Sequence, residues 1–433
     1  MSKSQQADKL GLKELVAMGV GGMVGGGIFS VLGLAVGLSG HSAPVAFAIG
    51  GVLAILTGWS YARLGLCFRS DGGSFTYLEH AFKHPNIAGI GGWVLLVGYI
   101  GTLALYSYTF GVYGSALLGD TVGNSPMHHV LSSGVLLTFL GINLYGVKAS
   151  GQSEDILVMI KVLILSLFGV AGLFYLQADH LLPVFNAGSG GLFMGAALIF
   201  VAYEGFELIP NAIHEMKDPE HHLTRGIMIS ILIATIIYII VSLVAVGNLL
   251  PDEISKYKEY ALAVAAKPFL GQAGFMLIGL GALLSTASAI NATLFGTARL
   301  SMVMSQEAVV PKVFSHRERT KDIPNISLIS ITAITLFFVN TMDLTIISSF
   351  ASSTFLLIFA SINLSAFKLR RNIGIKPILP LLGLVACLAC WVILTIYLIK
   401  TMPTGLIWIG GSYVGVIFAE FVFSERRIIL RRL

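Results

Sequence analysis

Long stretches without a single Asp, Glu, Lys or Arg constrain this chain more than any other feature. They cover 15–62, 84–119, 121–147, 180–203, 226–251, 268–298, 323–342, 344–367, 377–399 and 401–419. About 20 predominantly apolar residues cross a bilayer as a helix, and a helix satisfies its backbone polar groups internally where no water can. Composition agrees with that reading. Of the 433 residues 55% are hydrophobic and 11% charged, against roughly 25% charged in soluble domains. This excludes an ordinary soluble enzyme, and 26 Phe with 14 Tyr exclude a solvated, disordered chain.

The first run is long enough for two spans, parted near Ser39, Gly40, His41, Ser42 and Pro44. Two further spans contain charge: one carries Lys161, the other Glu204 and Glu207. The pattern predicts an all-α integral membrane protein of about twelve helices, at 11–38, 42–66, 87–118, 127–146, 153–177, 190–215, 223–249, 269–304, 324–341, 344–366, 377–399 and 405–424. With both termini inside, 22 Lys and Arg fall on the cytoplasmic side, from Lys3, Lys9 and Lys13 to Arg426, Arg427, Arg431 and Arg432. Only Lys256, Lys258, Lys267 and Lys400 fall outside. The positive-inside rule therefore sets a multi-pass orientation with both termini in the cytoplasm. Because the basic residues serve topology in short loops, nucleic acid is excluded as a partner.

Other chemistry is sparse. Cys387 and Cys390 form a C-x-x-C inside a wholly apolar stretch, and with Cys67 they suit helix packing better than a metal or redox site. The tail MSKSQQADKLGLKEL lacks the apolar core of a removed signal peptide, so the first span is expected to be retained. His128, His129, His221 and His222 sit in pairs without carboxylates at metal-ligand spacing and are expected to be solvated. No phosphate-binding loop, H-E-x-x-H or G-x-S-x-G motif occurs, so neither an enzyme, an ATP-driven pump nor a metal or cofactor site is expected.

The informative irregularities are two interrupted helices. The first span holds Gly21, Gly22, Gly25, Gly26 and Gly27 ahead of Ile28 and Phe29. Each glycine costs roughly 1 kcal/mol against alanine in a helix interior while permitting close backbone approach. A small-residue packing face explains Gly21 and Gly25 but does not require three glycines in a row. The sixth span reads FVAYEGFELIP from Phe200 to Pro210, so that Gly27, Ile28 and Phe29 match Gly205, Phe206 and Glu207 five helices away. Odd spacing inverts orientation. Interrupted helices at corresponding places of two inverted halves are the pattern of secondary transporters with a midplane site, with a channel or a non-transporting receptor as alternatives. The expected units are a 1–10 cytoplasmic tail, five-helix repeats at 11–180 and 188–368, peripheral helices at 377–424, and a basic 425–433 tail.

The residues also resemble a known family. VGGGIFS at Val24–Ser30 is similar to the first-helix signature of the amino acid–polyamine–organocation superfamily. DGGSFTYLEHAF at 71–82, the loop from Asn143 to Gly151, and E-M-K-D-P with Leu223, Thr224 and Arg225 resemble it further. ALAVAAKPFLG at 261–271 and ALLSTASAINATLFG at 282–296 resemble its sodium-independent, proton-coupled prokaryotic amino acid transporters. The likeness is good over helices one to eight and poor over the last two. It implies ten helices in two inverted repeats plus two peripheral ones, carrying amino acids by alternating access in a lipid bilayer, with protons as the coupled partner.

A zwitterion needs an anion site and a cation site, and a broken helix offers free N–H groups beside free C=O groups. The resemblance places the substrate carboxylate on Gly25, Gly26 and Gly27, flanked by Val24 and Ile28, and the ammonium by carbonyls near Phe200, Ala202 and Tyr203. Glu204 and Gly205 complete that set. Lys161 either snorkels to the cytoplasmic surface or, as the resemblance implies, fills the place of a sodium ion with Gly21, Ser285 and Ser288 as partners, discharging once per cycle. Glu207 either caps the second half-helix or senses protons; Glu204 either meets a substrate ammonium or faces the outer vestibule. Glu215 is expected in gate or loop salt bridges. The runner-up function is an exchanger or importer of cationic amino acids or polyamines.

Overall fold

The computed structural model describes residues 9–70, 72–82, 84–120, 125–146, 151–315 and 324–424, without the side chains of 85 and 151–154. The tail residues to 8 and from 425, with Asp71, Lys83, Lys148, Arg317, Arg319 and Lys321 of the sequence argument, lie outside the described residues. Ten helical stretches are long and apolar enough to cross a membrane. One, Gly27–Phe68, turns through the 3₁₀ segment Gly40–Ser42 and so makes two passes. The 17-residue helix Asn325–Thr341 is a further apolar pass. Among the described residues the chain therefore makes twelve passes, and its one β-type pairing is the isolated bridge between Leu10 and Met216.

In order, the spans are Leu12–Met23 continuing as Gly27–Ser39; Ala43–Phe68; Pro85–Leu117; Pro126–Tyr145; Gly151–Phe174; Gly188–Leu198 continuing to Glu215; Pro219–Asn248; Lys267–Gln306; Asn325–Thr341; Leu344–Lys368; Ile378–Thr401; and Pro403–Phe423. Prolines sit in the first turn of several, where the missing N–H is no loss. The Asp343 carboxylate accepts from the Ile346 N–H at 2.9 Å and Ser125 Oγ from the His128 N–H at 3.2 Å, satisfying donors that a helix start leaves free. Three short helices not anticipated from the sequence, Gly73–Ala81, Pro251–Lys256 and Ala261–Ala265, occupy the connections after the second and seventh spans. Their apolar runs are too short to register as spans.

Spans five apart pack against each other: first on sixth, second on seventh, third on eighth, fourth on ninth. The fifth span turns Leu163, Leu167, Val170 and Phe174 outward, while Lys161 on the same helix is 1% exposed. Spans two, ten and eleven are joined by a buried polar cluster. Asn363 Oδ1 accepts from Ser60 Oγ at 2.7 Å, its Nδ2 donates to Thr57 Oγ1 at 3.0 Å, and Cys387 Sγ lies 3.9 Å from that nitrogen. Cys387 and Cys390 are both buried, on helix-packing faces.

Candidate functional site

The first span is open at Val24–Gly26, between Met23 and Gly27. The sixth is open at Glu204 and Gly205, where Gly205 has φ 128°, a backbone region that glycine tolerates and other residues rarely adopt. The two breaks cross backbone to backbone. A Cβ on Gly205 would stand 2.7 Å from the Met23 nitrogen, and one on Gly27 2.7 Å from Ala202 Cα. Numbers rise along the first span as they fall along the sixth, so the broken helices run in opposite directions at their crossing.

Backbone groups released by the breaks are taken up by neighbouring side chains. Ser285 Oγ donates to Val24 O at 2.7 Å and approaches Gly25 O as well. Tyr238 Oη lies 2.5 Å from Met23 O and 2.9 Å from Ala202 O, so one hydroxyl bridges both breaks. Glu204 N–H reaches Val201 O at 3.2 Å. The Glu207 carboxylate accepts from the Gly205 N–H at 2.7 Å and from Tyr99 Oη at 3.4 Å. This is the capping geometry anticipated for it. Tyr238, which sequence reasoning missed, carries the one sequence signal available: a hydroxyl among the isoleucines of IIYII.

A cavity of about 430 Å³ starts at this crossing. Gly21, Gly22, Tyr99, Tyr106, Glu204, Gly205, Glu207 and Ser288 line its inner part, and Gly72, Glu215 and Arg299 its other end, at the ends of spans six and eight and the loop after span two. Of the ten residues expected to hold substrate, Glu204 and Gly205 line the cavity. Val24, Ile28, Phe200, Ala202 and Tyr203 are buried behind its wall. Tyr106 stands over Gly25 and Gly26, its ring occupying the space a Gly26 Cβ would need and its hydroxyl within 3.5 Å of a Gly25 Cβ, while Gly27 faces Ala202. Tyr203 Oη donates to Phe47 O at 2.5 Å and the Phe200 ring meets Phe359 edge-on.

Across the breaks from the cavity mouth, the described residues are packed together. Tyr108 Oη donates to Glu259 at 3.0 Å, Tyr113 Oη to Phe29 O at 3.0 Å, and Gly33 lies flat against the Lys258 backbone, where no Cβ fits.

Lys161 does not reach the surface; Nζ donates to Ser288 Oγ at 3.3 Å. Ser285 points instead at the first-span carbonyls, and Gly21 packs on Val158, one turn from Lys161. Glu204 lines the inner part of the cavity. Its Oε2 accepts from Thr102 Oγ1 at 2.6 Å. Glu215 is exposed at the mouth. The ion pair nearby is Arg69 with Glu220 at 3.0 Å, both exposed and therefore worth little. His128 corrects the expectation of a solvated residue: it is 1% exposed, in the first turn of the fourth span, its ring packed 4.2 Å from that of Tyr108. Glu420 is the charge that ends the run 401–419 and lies inside the last span. It is fully buried and accepts from Asn86 Nδ2 at 3.0 Å. Among the described residues no group of three or more His, Cys, Asp or Glu is gathered as for a metal ion.

Two broken helices crossing at the inner end of a cavity, within a twelve-pass helical membrane protein, are the arrangement of a secondary transporter. A family model described as Amino acid permease matches residues 10–422, and the chain belongs to that family. It is 32% identical to an uncharacterized protein of Methanocaldococcus jannaschii over 96% of this chain and 95% of the relative. It is likewise 32% identical to the inner membrane transport protein YbaT of Escherichia coli, over 97% of each. The branched-chain amino acid permease BcaP of Bacillus subtilis is 27% identical over 70% of this chain and 68% of its own length.

Proposed function

We propose that the protein carries amino acids across the cell membrane by alternating access, as a proton-coupled, sodium-independent symporter with both termini in the cytoplasm. The observation that carries this is the cavity that ends where the first and sixth spans break, beside Ser288 and its partner Lys161, and is closed toward the Tyr108–Glu259 side. Its mouth, at Gly72, Glu215 and Arg299, is the side the positive-inside rule assigns to the cytoplasm, so this is an inward-facing state. The pairing of spans five apart supports two inverted repeats at 11–180 and 188–368, with 377–424 peripheral.

Lys161 is the group we assign to coupling. A buried ammonium between the first, fifth and eighth spans does the work of a bound cation. Substrate binding between Gly25–Gly27 and the sixth-span break requires the Tyr106 ring to turn aside. The test is uptake of a labelled amino acid panel into liposomes without sodium, with and without a pH gradient. Wild type should accumulate substrate only with the gradient, and Lys161→Ala should bind substrate but not concentrate it. Uptake that needs sodium and ignores pH, or a concentrating Lys161→Ala protein, rejects the assignment.

A further inference from the structure

A second cavity, of about 370 Å³, lies at the end of the second span, the start of the seventh and the connection between the tenth and eleventh. Arg63, Cys67 and Arg69 line it from the second span and its end, Glu220 from the seventh, and Asn372 and Ile373 from the connection. It shares no lining residue with the cavity at the breaks. Its two arginines are not equivalent. Arg69 is exposed and paired with Glu220 at 3.0 Å. Arg63 is half-buried, more than a full turn inside the helix that ends at Phe68. Its guanidinium makes one long hydrogen bond, Nη2 to Ile373 O at 3.4 Å, and lies 5.8 Å from the Trp59 ring centroid. Among the described residues it forms no ion pair, and its Nε is buried without a partner.

We propose that this cavity binds the phosphodiester headgroup of an anionic membrane lipid, held by the Arg63 guanidinium and the Asn372 amide. Topology calls for basic residues in loops, and does not explain a guanidinium set inside a helix without a carboxylate. A partly desolvated cation is costly until an anion meets it. Because Arg69 and Glu220 neutralise each other, Arg63 leaves one positive charge in the cavity, which one phosphodiester balances. A guanidinium presents paired N–H donors that suit two phosphate oxygens. The connection 369–377 adds Arg370, Arg371 and Lys376 and contains no acidic residue, which favours an anionic membrane surface. Next along the chain, the eleventh span turns Ile378, Leu379 and Leu382 outward, an apolar face for acyl chains. Inorganic phosphate would meet the same donors but offers nothing to that face, so the lipid is the occupant we assign.

Cys67, exposed and in the wall of the cavity, reports occupancy, since Cys387 and Cys390 are buried. The experiment follows alkylation of Cys67 by an uncharged maleimide in the detergent-solubilised full chain, with phosphatidylglycerol, phosphatidylcholine of the same acyl chains, or inorganic phosphate added. Phosphatidylglycerol should slow the reaction at least fivefold, and phosphatidylcholine and phosphate should leave it within twofold of the lipid-free rate. Arg63→Gln should lose the protection, whereas Arg63→Lys, which keeps the charge, should retain part of it. Asn372→Asp places a carboxylate in the cavity from an exposed position and should also lose the protection, so the test stands if Arg63→Gln does not fold. Equal protection by phosphatidylcholine, or protection that persists in the folded Arg63→Gln or Asn372→Asp protein, means coverage by the micelle and overturns the site. Equal protection by phosphate overturns the lipid in favour of a soluble anion, and no protection by any addition overturns both.

Discussion

Single residues set how closely the two broken helices approach. Gly205 and Gly271 both have positive φ, 128° and 61°, yet differ in surroundings: a Gly205 Cβ would stand 2.7 Å from the Met23 nitrogen, whereas a Gly271 Cβ would meet nothing within 4 Å. Alanine at either site bears the conformational cost, about 1–3 kcal/mol. Only at Gly205 must a backbone also move. Gly271→Ala should therefore lower the melting temperature modestly and keep transport, while Gly205→Ala should abolish uptake and lower stability further. Equal uptake by the two variants would show that the crossing is not required. Three successive glycines announced the first break, and a lone glycine between carboxylates the second. The Tyr106 ring over Gly26 was illegible, because which face of a 33-residue span turns inward depends on its neighbours.

Whole helices were legible through length and charge, since the hydrocarbon core imposes both. Their mutual attachment was not. Inside a bilayer apolar contact does little to choose partners, and polar groups become the adhesive. Asn363 joins spans two, ten and eleven through Thr57, Ser60 and Cys387. Asn363→Leu deprives the Ser60 hydroxyl of its acceptor and Thr57 of a donor, and should cost about 1–3 kcal/mol. The readout is the midpoint of thermal unfolding in detergent, and an unchanged midpoint would mean the cluster contributes no net stability. The same logic explains two misplaced polar residues. His128 was expected in solvent as one of a pair without carboxylates at metal-ligand spacing, but it lies in the first turn of the fourth span, which Ser125 caps, on a face that packs against Tyr108 of the third. Glu420 sits on a face that meets the third span near Asn86, a contact no local pattern announces.

At the scale of the molecule, sequence reasoning reached the twelve-pass helical architecture and the two breaks because both are written in apolar length and glycine spacing. The direction in which the cavity opens is a property of one conformational state and so had no signature in the chain. In this state the cavity joins the Gly22–Gly205 crossing to the Arg299 end, while Tyr108 and Glu259 close the opposite side. Alternating access requires that relation to reverse. The most direct test places a cysteine at cavity-lining Ala292 in a chain whose exposed Cys67 is serine, and follows its reaction with a membrane-impermeant thiol reagent in vesicles of each orientation. Without substrate, modification should be rapid from the cytoplasmic face and slow from the outside, and a substrate gradient that drives turnover should raise the outside rate. Equal, substrate-independent modification from both faces would mean an open channel and contradict the account.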